Sequence, residues 1–145
     1  MALRLSNNLK SMILSQMVDA IAGTVGTAGT ASIIFYTGSQ PASADSAASG
    51  TALCTIPNIG WGDDTYATIT GTSSLCGTYT GTAGVTGTCG WARITTVGLD
   101  YQGTAATFTI DADVGTASTH TIVVNSVSMS SAGVVSLYTA PIILS

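Results

Sequence analysis

Apolar residues recur every three or four positions through the first 22 residues. Leu5, Leu9, Met12, Ile13, Met17, Ala20 and Ile21 fall on one stripe. That spacing predicts an amphipathic helix over residues 1–22. Ser6 is placed to cap its start and Gly23 to stop it. A short hydroxyl side chain accepts a bond from an N–H that the first turn leaves unpaired, and glycine tolerates the left-handed backbone of a helix end. Each large apolar side chain on the stripe stabilises by about 1.5–3 kcal/mol once buried. The helix therefore either covers one end of a sheet or docks on a neighbouring subunit.

Beyond Gly23 the period changes from 3.6 to 2. Residues 24–30 are a Gly- and Thr-rich linker. Strands are predicted at 31–36, 50–56, 65–70, 75–80, 90–96, 105–110, 120–128 and 134–138, with 142–144 extending the last. Residues 81–88 alternate Gly with small residues and read as a turn or a weak strand. Within 90–96, Trp91, Arg93 and Thr95 share one side while Ala92 and Ile94 share the other. Roughly eight short strands joined by Gly-, Ser- and Asp-rich turns predict a mainly β fold, an antiparallel β-sandwich of jelly-roll type. The expected organisation is a helical docking arm or sheet cover at 1–22 and a single β-sandwich domain at 23–145.

Composition sharpens this picture. Thr, Ser and Gly make up 58 of the 145 residues, whereas charged residues are only 7%. Polar contacts therefore fall to hydroxyls and backbone. Gly-Thr occurs ten times at irregular intervals, which excludes a solenoid repeat. So little charge leaves the strands with few gatekeepers against edge pairing, so the edges are safest when covered by other chains. That is a first physical hint of assembly.

The three basic residues, Arg4, Lys10 and Arg93, are too few to track a nucleic-acid backbone or an anionic membrane. Neither partner is expected. No apolar run is long enough for a transmembrane helix. Ser6, Asn7, Asn8, Ser11, Ser15 and Gln16 interrupt the N-terminal stripe, so it lacks the continuous apolar core of a secretory signal. Cytosolic synthesis is expected.

Candidate chemistry is sparse. His120 is the only histidine, with no GlyXSerXGly nucleophile elbow in the chain. It is expected to be structural, or exposed at the start of a strand. Cys54, Cys76 and Cys89 show no CysXXCys spacing and no zinc pattern. Cys54 lies in an apolar strand and reads as a small buried hydrophobe. Cys76 and Cys89 flank the Gly-rich segment and would face each other across a hairpin. That leaves a disulfide open, though cytosolic synthesis argues against it. Asp63-Asp64 and Asp111-Ala112-Asp113 are the carboxylate clusters, in a chain without Glu. They read as turn residues, with weak metal binding at Asp111 and Asp113 as the alternative. No catalytic residue, cofactor or metal is expected. Trp61 and Trp91 would be the anchors of a sugar-binding face, against a default of packing or subunit contact.

Three stretches together carry a family resemblance. Tyr36-Thr37-Gly38-Ser39-Gln40-Pro41, with the Ala- and Asp-rich loop and Gly50-Thr51 after it, resembles a block in small virion structural proteins of tailed bacteriophages. Gly87-Thr88-Cys89-Gly90-Trp91-Ala92-Arg93-Ile94 is similar to their Gly-Thr-x-Gly-Trp-x-Arg strand, and Asp111-Ala112-Asp113-Val114-Gly115-Thr116 to their Asp-x-Asp-Val-Gly turn. The cadence of residues 122–143 also matches. Residues 97–103 and the three cysteines depart from the pattern.

The resemblance implies a non-enzymatic structural part of a phage particle, assembled in the host cytoplasm. Capsid cement or decoration is the expected role, stabilising the mature shell by bridging its subunits. The expected partners are the major capsid protein or other virion proteins, in a homo-oligomer or symmetric assembly. Leu5, Leu9, Met12, Ile13 and Met17 are the expected contact residues of the arm, and Gln40, Pro41 and Asp45 those of the loop. A tail, neck or fibre component is the alternative within the same class. A carbohydrate-binding receptor-recognition module is the alternative from another class.

Overall fold

The computed structural model describes Leu9, Met12, Ile13, Gln16 and residues 31–62, 72–75, 78–99 and 105–143. The described chain is mainly β. Its elements are β1 (Ala31–Thr37), β2 (Ala52–Ile59), β3 (Trp61–Gly62), β4 (Thr72–Leu75), β5 (Tyr79–Thr82), β6 (Gly87–Leu99), β7 (Ala105–Gly115), β8 (Ile122–Val124), β9 (Ser128–Met129), β10 (Val134–Thr139) and β11 (Ile142–Ile143).

No helix is delimited among the described residues. Leu9, Met12, Ile13 and Gln16 have helical backbone, with Leu9 and Met12 exposed. The rest of the expected 1–22 helix, including Leu5 and Met17, lies outside the described residues. So do the strand expected at 65–70 and Cys76.

Alternation along β1 sets the inside of the fold. Ala31, Ile33 and Phe35 are buried, while Ser32, Ile34 and Tyr36 face the other way. Antiparallel pairing carries that alternation to β2, where Ile33 meets Ile56 and Phe35 meets Cys54, and to β6, where Ile33 meets Ile94 and Phe35 meets Ala92. The sheet continues in the order β2, β1, β6, β7, β8, β10, β5, with β9 paired to the start of β6. The far ends then approach each other. Ala83, just after β5, bridges Cys54 on β2, and the Gly84 N–H donates to the Leu53 carbonyl at 2.8 Å. The result is a nearly closed, barrel-like sheet. Leu53, Ile59, Ile122, Val124 and Leu137 fill its interior with the β1 side chains. At the closing seam, a Cβ on Gly81 would press on the Ile56 and Cys54 side chains, so only glycine lets the edges come this close.

Several expected boundaries move. The strand expected at 75–80 is divided between β4 and β5, and β11 pairs with β4 instead of extending β10. The weak segment 81–88 resolves into the end of β5, a turn, and the start of β6. The pair β7–β8 is parallel, through Val114–Ile122 and Gly115–Val123. Six residues connect these two strands, fewer than a parallel crossover usually needs. The short link suffices because the overlap is only two residue pairs long.

The largest correction concerns Asp111-Ala112-Asp113. These residues do not form a turn. They lie inside β7, paired with Arg93, Ala92 and Trp91 of β6. Aspartate is disfavoured in strands because its side chain competes for the backbone. Here each carboxylate has a fixed partner, which offsets that preference.

Candidate functional site

The period of two places Trp91 and Arg93 on the outer face of β6 and Asp111 and Asp113 beside them on β7. Tyr36 of β1 is opposite Trp91. Arg93 is the one lysine or arginine of the chain after position 10, and it sits in mid-strand with 8% of its surface exposed. A charge so far out of water needs a partner. Asp111 supplies it in a two-pronged ion pair. Arg93 Nε donates to Oδ1 at 2.6 Å and Nη2 to Oδ2 at 2.7 Å. The matched fork holds the guanidinium charged above its already high range.

The third guanidinium nitrogen reaches a different element. Arg93 Nη1 donates to the Ser46 carbonyl at 2.9 Å. Beside it, the Thr109 hydroxyl donates to the Ala44 carbonyl at 3.0 Å. Residues 38–50 are thereby strapped across the outer face of β6 and β7. Both ends of the loop are fixed as well. The Thr37 N–H donates to the Thr51 carbonyl, and the Thr51 N–H to the Thr37 hydroxyl. Gly50 has φ +81° and lies against the Thr37 carbonyl, where a Cβ would collide. Gly90 meets the Gly38 carbonyl with the same lack of room.

Trp91, two residues before Arg93 on the same strand, is 1% exposed. Its ring stacks on Tyr36, with centroids 4.7 Å apart and planes 14° apart, and Arg93 lies 5.5 Å from its centre. Among the described residues its indole N–H has no hydrogen-bond partner, and an unsatisfied buried donor costs about 1–3 kcal/mol. Burial and ring contacts offset that cost. A side chain so buried offers no exposed surface to a sugar. The side chain of Trp61 lies outside the described residues.

The expected loop residues are presented on this base. Gln40 and Asp45 are exposed and Pro41 is half-buried. Asp45 closes a local turn, its N–H donating to the Ser43 hydroxyl at 3.2 Å. Gln40 also reaches a cleft of about 370 Å³, where it lies with Asp111, Asp113, Thr121 and Pro141.

Asp113 has its own partners. The His120 Nδ1 lies 3.0 Å from its Oδ2, and the Thr121 N–H donates to its Oδ1 at 3.2 Å. Hydrogen bonding from Thr121, joined by His120, holds the Asp113 carboxyl below the usual carboxylate range. His120 is exposed and precedes β8 by two residues. No group of three or more His, Cys, Asp or Glu that could hold a metal occurs among the described residues.

Cys54 and Cys89 are buried free thiols. Burial raises both, Cys89 to about 11, so neither is an activated nucleophile.

The three stretches that carried the resemblance therefore meet at one place. Tyr36 stacks on Trp91, the loop is bonded to Arg93, and Asp111 and Asp113 lie on the neighbouring strand. The Arg93–Asp111 pair and its strap were not anticipated from the sequence. The available signal was a lone arginine in a strand whose neighbours alternate, since such a residue requires a carboxylate across the sheet. No known family model matches the chain, no curated protein is found similar to it, and no solved structure matches its fold.

Proposed function

We propose that this protein is a non-enzymatic structural component of a tailed-bacteriophage virion, a capsid cement or decoration protein. The observation that carries the reading is the use made of the buried charge. Arg93 and Asp111 are paired with each other, and the remaining guanidinium nitrogen holds the 38–50 loop. The loop thus presents Gln40, Pro41 and Asp45 on a rigid base, and ordering it beforehand removes an entropy cost from docking. The low charge, the hydroxyl-rich strands and the convergence of the three resembling stretches support the same reading.

In this account the loop and the apolar stripe of residues 1–22 contact the major capsid protein, and contacts made only in the mature shell stabilise it by mass action. Its place is the virion, in symmetric copies, with no cofactor. The finer architecture proposed with it is a flattened, two-layer form of the closed sheet, jelly-roll-like. The test is to mix the purified protein with empty shells of its own phage. Stoichiometric addition and a raised shell melting temperature are expected. A discrete ring or trimer on its own, with no shell binding, would move the protein to the tail or neck.

A further inference from the structure

We propose that the outer face of β10 is the contact through which two copies of this chain pair about a two-fold axis. The 38–50 loop is bonded to the outer face of β6 and β7 through Arg93 and Thr109. The outer face of β10 is open instead. Val134 is 63% and Tyr138 58% exposed, and Thr80 and Thr82 of the adjacent β5 are exposed beside them. Among the described residues from 31 onward, the third exposed large apolar side chain is Val85. It belongs to the same wall. Its turn is tied to the one before β10, the Ala132 N–H donating to the Ala83 carbonyl and the Ser131 N–H to the Thr86 hydroxyl. Single exposed apolar side chains are ordinary, whereas several gathered on one wall mark a contact surface.

The main chain of β10 is already satisfied, so it is the face of the strand, and not an edge, that is on offer. β5 pairs with it along Val134–Leu137 on one side. On the other side β8 pairs at Leu137 and Thr139. Asn125 completes that ladder. Its Nδ2 donates to the Val134 carbonyl, and its Oδ1 accepts from the Ser136 N–H. A face held on both sides docks with little ordering cost.

Charge and spacing name the occupant. The net charge is −4, so two copies repel when their charged surfaces approach. Among the described residues, the Asp, Lys and Arg side chains are Asp45, Arg93, Asp111 and Asp113, on the loop, β6 and β7. β5, β8, β9 and β10 carry none. Copies that meet on β10 therefore bring together the part of each that is free of charge. The side chains also complement themselves. Val134, Ser136 and Tyr138 face outward at every second position, between the buried Val135 and Leu137. A two-fold axis at right angles to the strand, crossing it at Ser136, sets Val134 of each copy against Tyr138 of the other. The small Ser136 at the centre leaves room for the two tyrosine rings. Such self-matching is what an isologous contact requires, and tyrosine without charge is what interface cores favour.

Sedimentation velocity of the full-length protein, without shells, tests the pairing. The parent should run as a dimer. The dimer should hold or tighten as salt is raised, because screening removes repulsion and there is no ion pair on the face to break. Val134→Lys and Tyr138→Asp, both at exposed positions, should each weaken the dimer at least tenfold with unchanged circular dichroism. Mixing the two variants should restore a dimer. The new cation then faces the new carboxylate, and the second Val134–Tyr138 contact is intact. A monomeric parent, a parent dimer lost in high salt, single variants that pair like the parent, or a mixture that stays monomeric would each overturn the inference. A monomeric parent whose shell binding is lost in Val134→Lys would give this face to the shell protein instead. Pairing is measured without shells, so its failure leaves the virion reading standing.

Discussion

Replacing Arg93 with methionine isolates the contact on which the strap depends. The Asp111 side chain is 2% exposed, so the substitution strands a carboxylate away from water. Removing one partner of a buried pair costs about 3–5 kcal/mol, most of it from the charge left behind. The Ser46 carbonyl also loses its donor, and Trp91 its neighbouring cation. For a domain of this size, the loss should lower the melting temperature by roughly 10–15 °C. Adding Asp111→Leu removes the stranded charge and should recover more than half of the loss, because an apolar pair of similar volume is often neutral to stability. Urea denaturation of the two single variants and the double gives the coupling energy directly. Limited proteolysis between residues 42 and 48 reports separately on the loop, which should be cut faster in the two variants that lack Arg93. A stable Arg93→Met variant, or a double variant as unstable as the sum of the singles, would refute the reasoning.

Three further outcomes are expected. Gly50→Ala should destabilise by about 1–3 kcal/mol, since Gly50 combines φ +81° with contact on the Thr37 carbonyl; a thermal melt matching the parent would contradict this. Both Cys54 and Cys89 should resist a disulfide thiol reagent at pH 8 in the folded state and react fully in denaturant, because they are buried and Cys89 is raised to about 11; rapid labelling of either of these two in native protein, located by peptide mapping, would show otherwise. Asp113 has a folded pKa below its unfolded value, so its contribution is present above the unfolded value of about 4. It is lost as pH falls through the lower folded value, and Asp113→Asn should flatten the acid limb of the stability profile. An identical pH profile in the variant would contradict that assignment.

The strands at 31–36, 90–96 and 134–138 were legible in sequence because β-branched and aromatic residues concentrate there. The sequence also marked Cys54 as an interior residue, which its position opposite Phe35 explains. Asp111-Ala112-Asp113 misled because local preference assigns aspartate to turns, while its partner Arg93 lies 18 residues earlier in the chain. The parallel β7–β8 pair was equally hidden, since six hydroxyl-rich residues give no sign of strand direction. Closure of the sheet rests on Gly81 approaching Ile56 and Cys54. That contact between distant segments leaves no local mark. The candidate loop was legible as a segment but not as a rigid one, because its fasteners, Arg93 and Thr109, come from later strands.

The central claim is that this chain docks on a phage shell through a loop fastened by Arg93. Electron cryo-microscopy of shells prepared with and without the protein tests it most directly. The account predicts added density on the capsid exterior at the junctions between subunits, with the 38–50 loop against the shell. Density confined to the tail or neck, or shells unchanged at saturating protein, would contradict it.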